Sequence, residues 1–150
     1  MDTSTTPLQI LLADDDVDDC LFFEQALAEV ATPTHLVVVH DGEQLIQLLL
    51  KKSTQLPDIL FLDLNMPRKN GFECLSAIKQ DATLKTLPVV ILSTYFEQAA
   101  VDQLYVGRAH WCIQKPTEFA RLKQVIERIL MMLAENNLPE SAKENFVLVA

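Results

Sequence analysis

Glycine is scarce in this chain, with three in 150 residues at positions 42, 71 and 107. They fall in no G-x-G-x-x-G or G-x-x-x-x-G-K pattern, so a glycine-rich loop that cradles a nucleotide phosphate is excluded. Basic residues are also few, 12 against 21 acidic ones for a net charge of −9, and they form no run. That balance disfavours nucleic acid and anionic lipid as general partners. The three cysteines, Cys20, Cys74 and Cys112, are odd in number, far apart and in no C-x-x-C spacing. They speak for a reducing compartment and against a zinc site. No apolar run approaches the length of a membrane span, and the opening MDTSTTPLQILLADDD lacks the basic region of a signal peptide. A cytoplasmic location is therefore expected, with no membrane partner. His35, His40 and His110 stand at strand edges without metal-ligand spacing and read as surface or core-edge histidines, none of them a phosphodonor.

What the chain does have is a repeating pattern. Hydrophobic residues make up 49% of it, enough for one domain with a real core. Short apolar runs, LQILLA from 8, LVVV from 36, ILFL from 59, VVIL from 89 and WCI from 111, recur between stretches of helical period. Runs without in/out alternation suit parallel strands covered on both faces. Asp19, Phe22, Phe23, Ala26, Leu27 and Val30 share one helical stripe, with Asp16 or Asp18 available as N-cap and Phe22 and Phe23 as core. Phe119, Leu122, Ile126, Ile129 and Leu133 form another, with Thr117 as a candidate cap after Pro116 and Met131 and Met132 in helix packing. The predicted spans are β1 8–14, α1 17–30, β2 35–40, α2 42–52, β3 58–63, α3 71–80, β4 88–93, α4 96–107, β5 110–114 and α5 117–135. Pro57 and Pro88 stand just before strands, where a missing N–H costs little.

Strand alternating with helix five times predicts a doubly wound α/β fold with a parallel five-stranded sheet. Residues 1–135 would form it. The remaining 136–150 have no place in a five-unit fold, and the apolar run from Phe146 to Val149 would pack either on its own domain or on a second copy of the chain. A ligand of such a sheet binds outside the carboxyl ends of the strands.

Those ends carry a consistent chemistry. Strand β1 ends in Asp14 and Asp15, β3 in Asp63, β4 in Ser93 and Thr94, and β5 runs into Gln114, Lys115 and Pro116. Bringing three carboxylates together costs several kcal/mol unless a cation or protons are taken up. Hard oxygen donors without His or Cys favour Mg²⁺ or a similar ion, and the backbone carbonyl of Asn65, in the turn-rich LNMPRKNG loop with Met66 and Pro67, would add a ligand. A metal, an ammonium and a hydroxyl beside carboxylates are equipped to hold a phosphoryl group. Asp63 is the best placed carboxylate to attack phosphorus, with Lys115 and Ser93 on the phosphoryl oxygens. Asp16, Asp18 and Asp19 read as the capping, charged first turn of α1.

The strings LLADDD, FLDLNMPRKNG, VVILST and IQKP, in this order and at these separations, resemble the receiver domain of two-component response regulators over residues 8 to 135. The resemblance implies a flavodoxin-like (βα)5 fold with strand order 2-1-3-4-5. It makes Asp63 the phosphoacceptor, Asp15 a direct metal ligand together with Asp63 and the Asn65 carbonyl, and Asp14 a metal neighbour through water. Ser93 would follow the phosphoryl group, Thr94 would stand in its vicinity, and Lys115 would pair with the phosphate before Pro116, across a Lys-Pro bond that is usually cis in the family. The cofactor implied is Mg²⁺. The partners implied are a histidine kinase or histidine phosphotransfer protein and an unidentified downstream protein, with a homodimer also possible.

Two positions depart from the family pattern. Cys112, next to Trp111, stands where the switch aromatic is usual, and Arg108 stands where glycine is common. The likeness is to stand-alone receivers with a short C-terminal extension. Its function would be a phosphorylation-dependent switch, not an enzyme apart from self-catalysed phosphoryl transfer and slow autodephosphorylation at Asp63. The alternatives are a phosphorylation-independent receiver scaffold and an aspartyl-nucleophile phosphohydrolase. Hydrolases of the haloacid dehalogenase type put the nucleophile on the first strand and an Asp two residues on, where this chain has Asn65.

Overall fold

A computed structural model describes residues 6–51, 55–94, 97–134 and 147–148. Its elements run β1 (Leu8–Ala13), α1 (Val17–Ala28), β2 (Thr34–Val39), α2 (Gly42–Leu50), β3 (Ile59–Asp63), α3 (Gly71–Gln80), β4 (Val89–Ser93), α4 (Gln98–Val106), β5 (Trp111–Gln114), α5 (Phe119–Ala134) and β6 (Val147–Leu148). The sheet order is β2-β1-β3-β4-β5-β6 and every pairing is parallel. Its first five strands have the flavodoxin-like order 2-1-3-4-5. The sheet nevertheless has six strands, not five, because the backbone edge of β5 is taken up by β6, with Cys112 opposite Val147 and Ile113 opposite Leu148. An edge strand leaves a row of N–H and C=O groups unpaired, and a parallel partner from the same chain satisfies them.

The consecutive apolar runs form strands because both faces of the sheet are covered. Ile10, Leu12, Ile59, Phe61, Val90, Leu92, Trp111 and Ile113 point to one face, where α1 and α5 supply Phe23, Ala26, Leu27, Val125, Ile126 and Ile129. Their neighbours Leu11, Ala13, Leu60, Leu62, Val89, Ile91 and Cys112 point to the other, against Leu45 and Leu49 of α2, Leu75 and Ile78 of α3 and Leu104 of α4. Each Val, Leu, Ile or Phe among them contributes about 1.5–3 kcal/mol on burial. The alternation places Trp111 and Cys112 in opposite layers, so the tryptophan cannot substitute for an aromatic at 112 by a small rotation. Phe23 meets Phe61 edge-on at 5.0 Å, and Phe22 meets Phe119 at 5.8 Å, joining α1 to α5.

Local chemistry fixes the helix starts. Asp16 accepts from the Asp19 N–H, Asp41 accepts from the Gln44 N–H, and Asn70 and Glu73 form a reciprocal capping box on α3. Helix α5 starts at Phe119, two residues later than expected, so Glu118 rather than Thr117 immediately precedes it. Helix α4 ends with Gly107 in right-handed geometry and Arg108 in the left-handed region at φ 67°. The Ala109 N–H then bonds the Leu104 carbonyl at 3.2 Å, and the Arg108 N–H the Tyr105 carbonyl at 3.1 Å, closing the helix end. This is the turn in which Arg108 replaces a common glycine, and the arginine adopts the glycine conformation.

Candidate functional site

The carboxyl ends of β1, β3, β4 and β5 lie side by side, and the register brings their terminal residues to one edge. Asp63 is opposite Leu92 across β3 and β4, and Ser93 is opposite Gln114 across β4 and β5. The Lys115 N–H donates to the Ser93 carbonyl at 2.7 Å, and the Leu64 N–H to the Leu92 carbonyl at 3.1 Å, so the ladder continues one step past the strands. Two glycines allow the loops to close over this edge. A Cβ on Gly71 would stand 2.8 Å from the Asp63 carbonyl oxygen, and one on Gly42 would collide with the Lys69 carbonyl of the β3–α3 loop.

Asp14, Asp15 and Asp63 each offer an oxygen within 4.8 Å of the other two. Asp14 and Asp63 are buried, at 2% and 5% exposure, and Asp15 is open to solvent. All the donors are carboxylate oxygens with one side facing water, the donor set of a hard divalent cation that keeps part of its hydration shell. Lys115 is the counter-charge from the protein. Its Nζ donates to Asp14 Oδ2 and Asp19 Oδ2, both at 2.8 Å, and stands 3.6 Å from Asp63 Oδ1. The Asp14 Oδ1 accepts from the Asp16 N–H at 3.0 Å, and the Asp14 carbonyl lies 3.4 Å from the Cys20 thiol and 3.1 Å from His40 Nδ1.

Burial and the neighbouring Asp14 carboxylate push Asp63 up to about 7; Lys115 and the Asn65 N–H bonded to it work the other way, and Asp15 adds to the rise. Burial works against the Lys115 ammonium, but its bonds to Asp14 and Asp19 and the charge of Asp63 outweigh it and hold the lysine above its ordinary value. The cluster without a cation is thus frustrated: its carboxylates share one ammonium, and the buried Asp63 retains its proton into the neutral range.

Asp14, Asp15, Asp63 and Lys115 therefore converge as the sequence placed them. Ser93 ends β4 at 1% exposure, tied to Lys115 through the backbone. Thr94 is exposed and connects to this edge through its carbonyl, which accepts from Gln114 Nε2 at 3.3 Å. Asn65 contributes its N–H to Asp63. The expected cis bond before Pro116 is absent: the Lys115–Pro116 peptide is trans, the isomer an X–Pro bond favours intrinsically, and Lys115 reaches Asp14 with it. Asp19, read as a first-turn dipole residue, is also a direct partner of Lys115, a contact between residues 96 positions apart that no local pattern signals. Two other titratable groups are shifted by burial. Burial pushes the Cys112 thiol up to about 12, and burial with nearby Lys79 pulls His110 down to about 4, where its Nδ1 accepts the Val89 N–H.

No helix among the described residues is long and apolar enough to cross a membrane. Residues 10–127 match the sequence model of the response regulator receiver domain. The response regulator Rcp1 of Synechocystis sp. is 29% identical over 132 residues, which is 85% of this chain and 90% of that protein. Among solved structures, the phosphorylated cyanobacterial phytochrome response regulator RcpA superposes with a TM-score of 0.79 at 31% identity, over 87% of this chain and 96% of its own. The Mn²⁺-bound form of Rcp1 superposes at 0.77 with 26% identity, over 91% and 100%. With the family's sequence model spanning most of its length, its strand order, and a pocket of three aspartates and a lysine at the strand ends, this chain belongs to the response regulator receiver family.

Proposed function

We propose that the chain is a phosphorylation-dependent switch in which Asp63 accepts a phosphoryl group from a histidine kinase or a histidine phosphotransfer protein. The observation that carries this reading is the convergence of Asp14, Asp15, Asp63 and Lys115 at one sheet edge. A carboxylate oxygen of Asp63 attacks phosphorus, the phosphorus–nitrogen bond of the donor phosphohistidine breaks, and the imidazole departs with a proton from solvent. Lys115, already 3.6 Å from Asp63 Oδ1, moves its ammonium onto a phosphoryl oxygen. Ser93, at the end of the adjacent strand, donates its hydroxyl to another, which draws the β4–α4 connection toward the site. Mg²⁺ is the cation that suits the oxygen donors; Asp15, Asp63 and the Asn65 carbonyl would hold it, with Asp14 beside it, and it would neutralise charge on the carboxylates and the phosphoryl oxygens. The exposed Thr94 stands in the phosphoryl vicinity.

The product alters affinity for a downstream protein or for a second copy of the chain. The structure of residues 135–146 lies outside the described residues, while β6 stands beside β5. Cys112 fills the layer beneath α4 without an aromatic ring, so the switch runs through Ser93 and the α4 end rather than through a swinging aromatic. Beryllofluoride, a phosphoryl mimic, tests the reading by titration in Mg²⁺ with the Trp111 fluorescence or amide chemical shifts as signal. Saturable binding that Asp63→Asn abolishes is expected; equal binding by the variant would overturn the assignment.

A further inference from the structure

Lys115 has a partner that the metal and phosphoryl chemistry does not require. Of the three carboxylates around its ammonium, Asp14 and Asp63 belong to the cation cluster, and Asp19 does not. Asp19 stands in the first turn of α1, is 40% exposed at its side chain, and holds the ammonium at 2.8 Å. Asp63, where the phosphoryl group would arrive, is the most distant of the three at 3.6 Å. Beneath this pair lies a cavity of about 30 Å³, lined by Asp19, Lys115, Phe22, Phe23, Pro116 and Leu122 among others. Such a space is large enough for a water or two beside the lysine stem.

From this geometry we infer that Asp19 is a positioning residue that restrains Lys115 in the resting state and competes with the phosphoryl group for its ammonium. The inference rests on the phosphoacceptor reading above. Two effects act in the same direction. The ammonium must loosen its charge-assisted bond to Asp19 to approach Asp63 closely, and the Asp19 carboxylate adds like charge a short distance from an incoming anion. Asp19 therefore weakens the phosphorylated state relative to the resting one. It is not itself in contact with phosphorus.

Asp19→Asn keeps the size and the backbone N–H that bonds Asp16, so the helix start is preserved. Beryllofluoride affinity in saturating Mg²⁺ is measured for wild type, Asp19→Asn, Lys115→Gln and the double variant. A partly exposed ion pair contributes up to about 1 kcal/mol, and tenfold in affinity corresponds to about 1.4. Tightening of about two- to fivefold is expected for Asp19→Asn, and distinctly less when Lys115 is already glutamine, because only the like-charge effect is left, a coupling that a purely structural role of Asp19 would not produce. Unchanged or weaker binding by Asp19→Asn, or the same tightening in the Lys115→Gln background, overturns the restraint. If wild type itself fails to bind beryllofluoride, the phosphoacceptor reading falls instead.

Discussion

Neutralising Asp63 should make the metal-free protein more stable, although it removes the proposed phosphoacceptor. The folded carboxyl is pushed up to about 7 by burial and by Asp14, from 3.8 in the unfolded chain. Between those values the folded state binds more protons than the unfolded state, so stability falls as pH rises across that window and the full penalty is present above about 7. An interval of about three pH units at 1.36 kcal/mol each sets a ceiling of about 4 kcal/mol. Rearrangement of water and of the Lys115 ammonium around the cluster relieves part of it, and about 2 kcal/mol is expected. Asp63→Asn escapes the penalty while keeping an oxygen for the Asn65 N–H. In a chain of this length 2 kcal/mol is about 4–8 °C in Tm. Thermal unfolding followed by circular dichroism, with chelator at pH 8, 6 and 4, should show the variant melting higher at pH 8 and the gap closing toward pH 4. A variant equal to or less stable than wild type at pH 8, or a gap that does not change with pH, would refute the account of the carboxylate cluster.

The remaining outcomes follow from the same geometry. Mg²⁺ at ten times its Kd should stabilise wild type by about 1.4 kcal/mol through binding to the native state, and Asp15→Ala should lose that increment in a melting series with and without the ion. An unchanged Mg²⁺ response in Asp15→Ala would place the cation elsewhere. Arg108→Gly should raise stability by about 0.5–1 kcal/mol, because the left-handed φ of 67° costs an arginine more than glycine loses in chain entropy. The substitution also removes a positive charge that presses on the half-buried Lys79 ammonium. Chemical denaturation measures it, and a destabilised Arg108→Gly would mean that the arginine side chain makes contacts worth more than the strain.

Much of the fold is legible in the sequence because a parallel strand buried on both faces has to be apolar at every position. Runs such as ILFL and VVIL mark β3 and β4 without ambiguity, and the helix starts follow from Asp16, Asp41 and Asn70 as caps. The sixth strand is not legible. Pairing of Val147–Leu148 with β5 satisfies backbone groups at a sheet edge, and two residues carry no period. The start of α5 is misplaced because Thr117 after Pro116 looks like a cap, whereas the helix begins at Phe119. At the site, the strand-end carboxylates are readable because each ends an apolar run. The tie between Lys115 and Asp19 is not readable, since it joins the end of β5 to the first helix, 96 positions away. The trans Lys115–Pro116 bond likewise departs from what the family resemblance implies, and no residue type distinguishes the isomers.

The central claim is that Asp63 forms an acyl phosphate. Incubation with acetyl phosphate and Mg²⁺, in which a phosphorus–oxygen bond breaks and acetate leaves, followed by intact-protein and peptide mass spectrometry, tests it most directly. The account predicts a gain of one phosphoryl group on the peptide containing Asp63, not formed when Mg²⁺ is omitted and absent from Asp63→Asn. Modification of the Asn variant at the same rate, or a phosphoryl group on any other residue of the wild type, would contradict it.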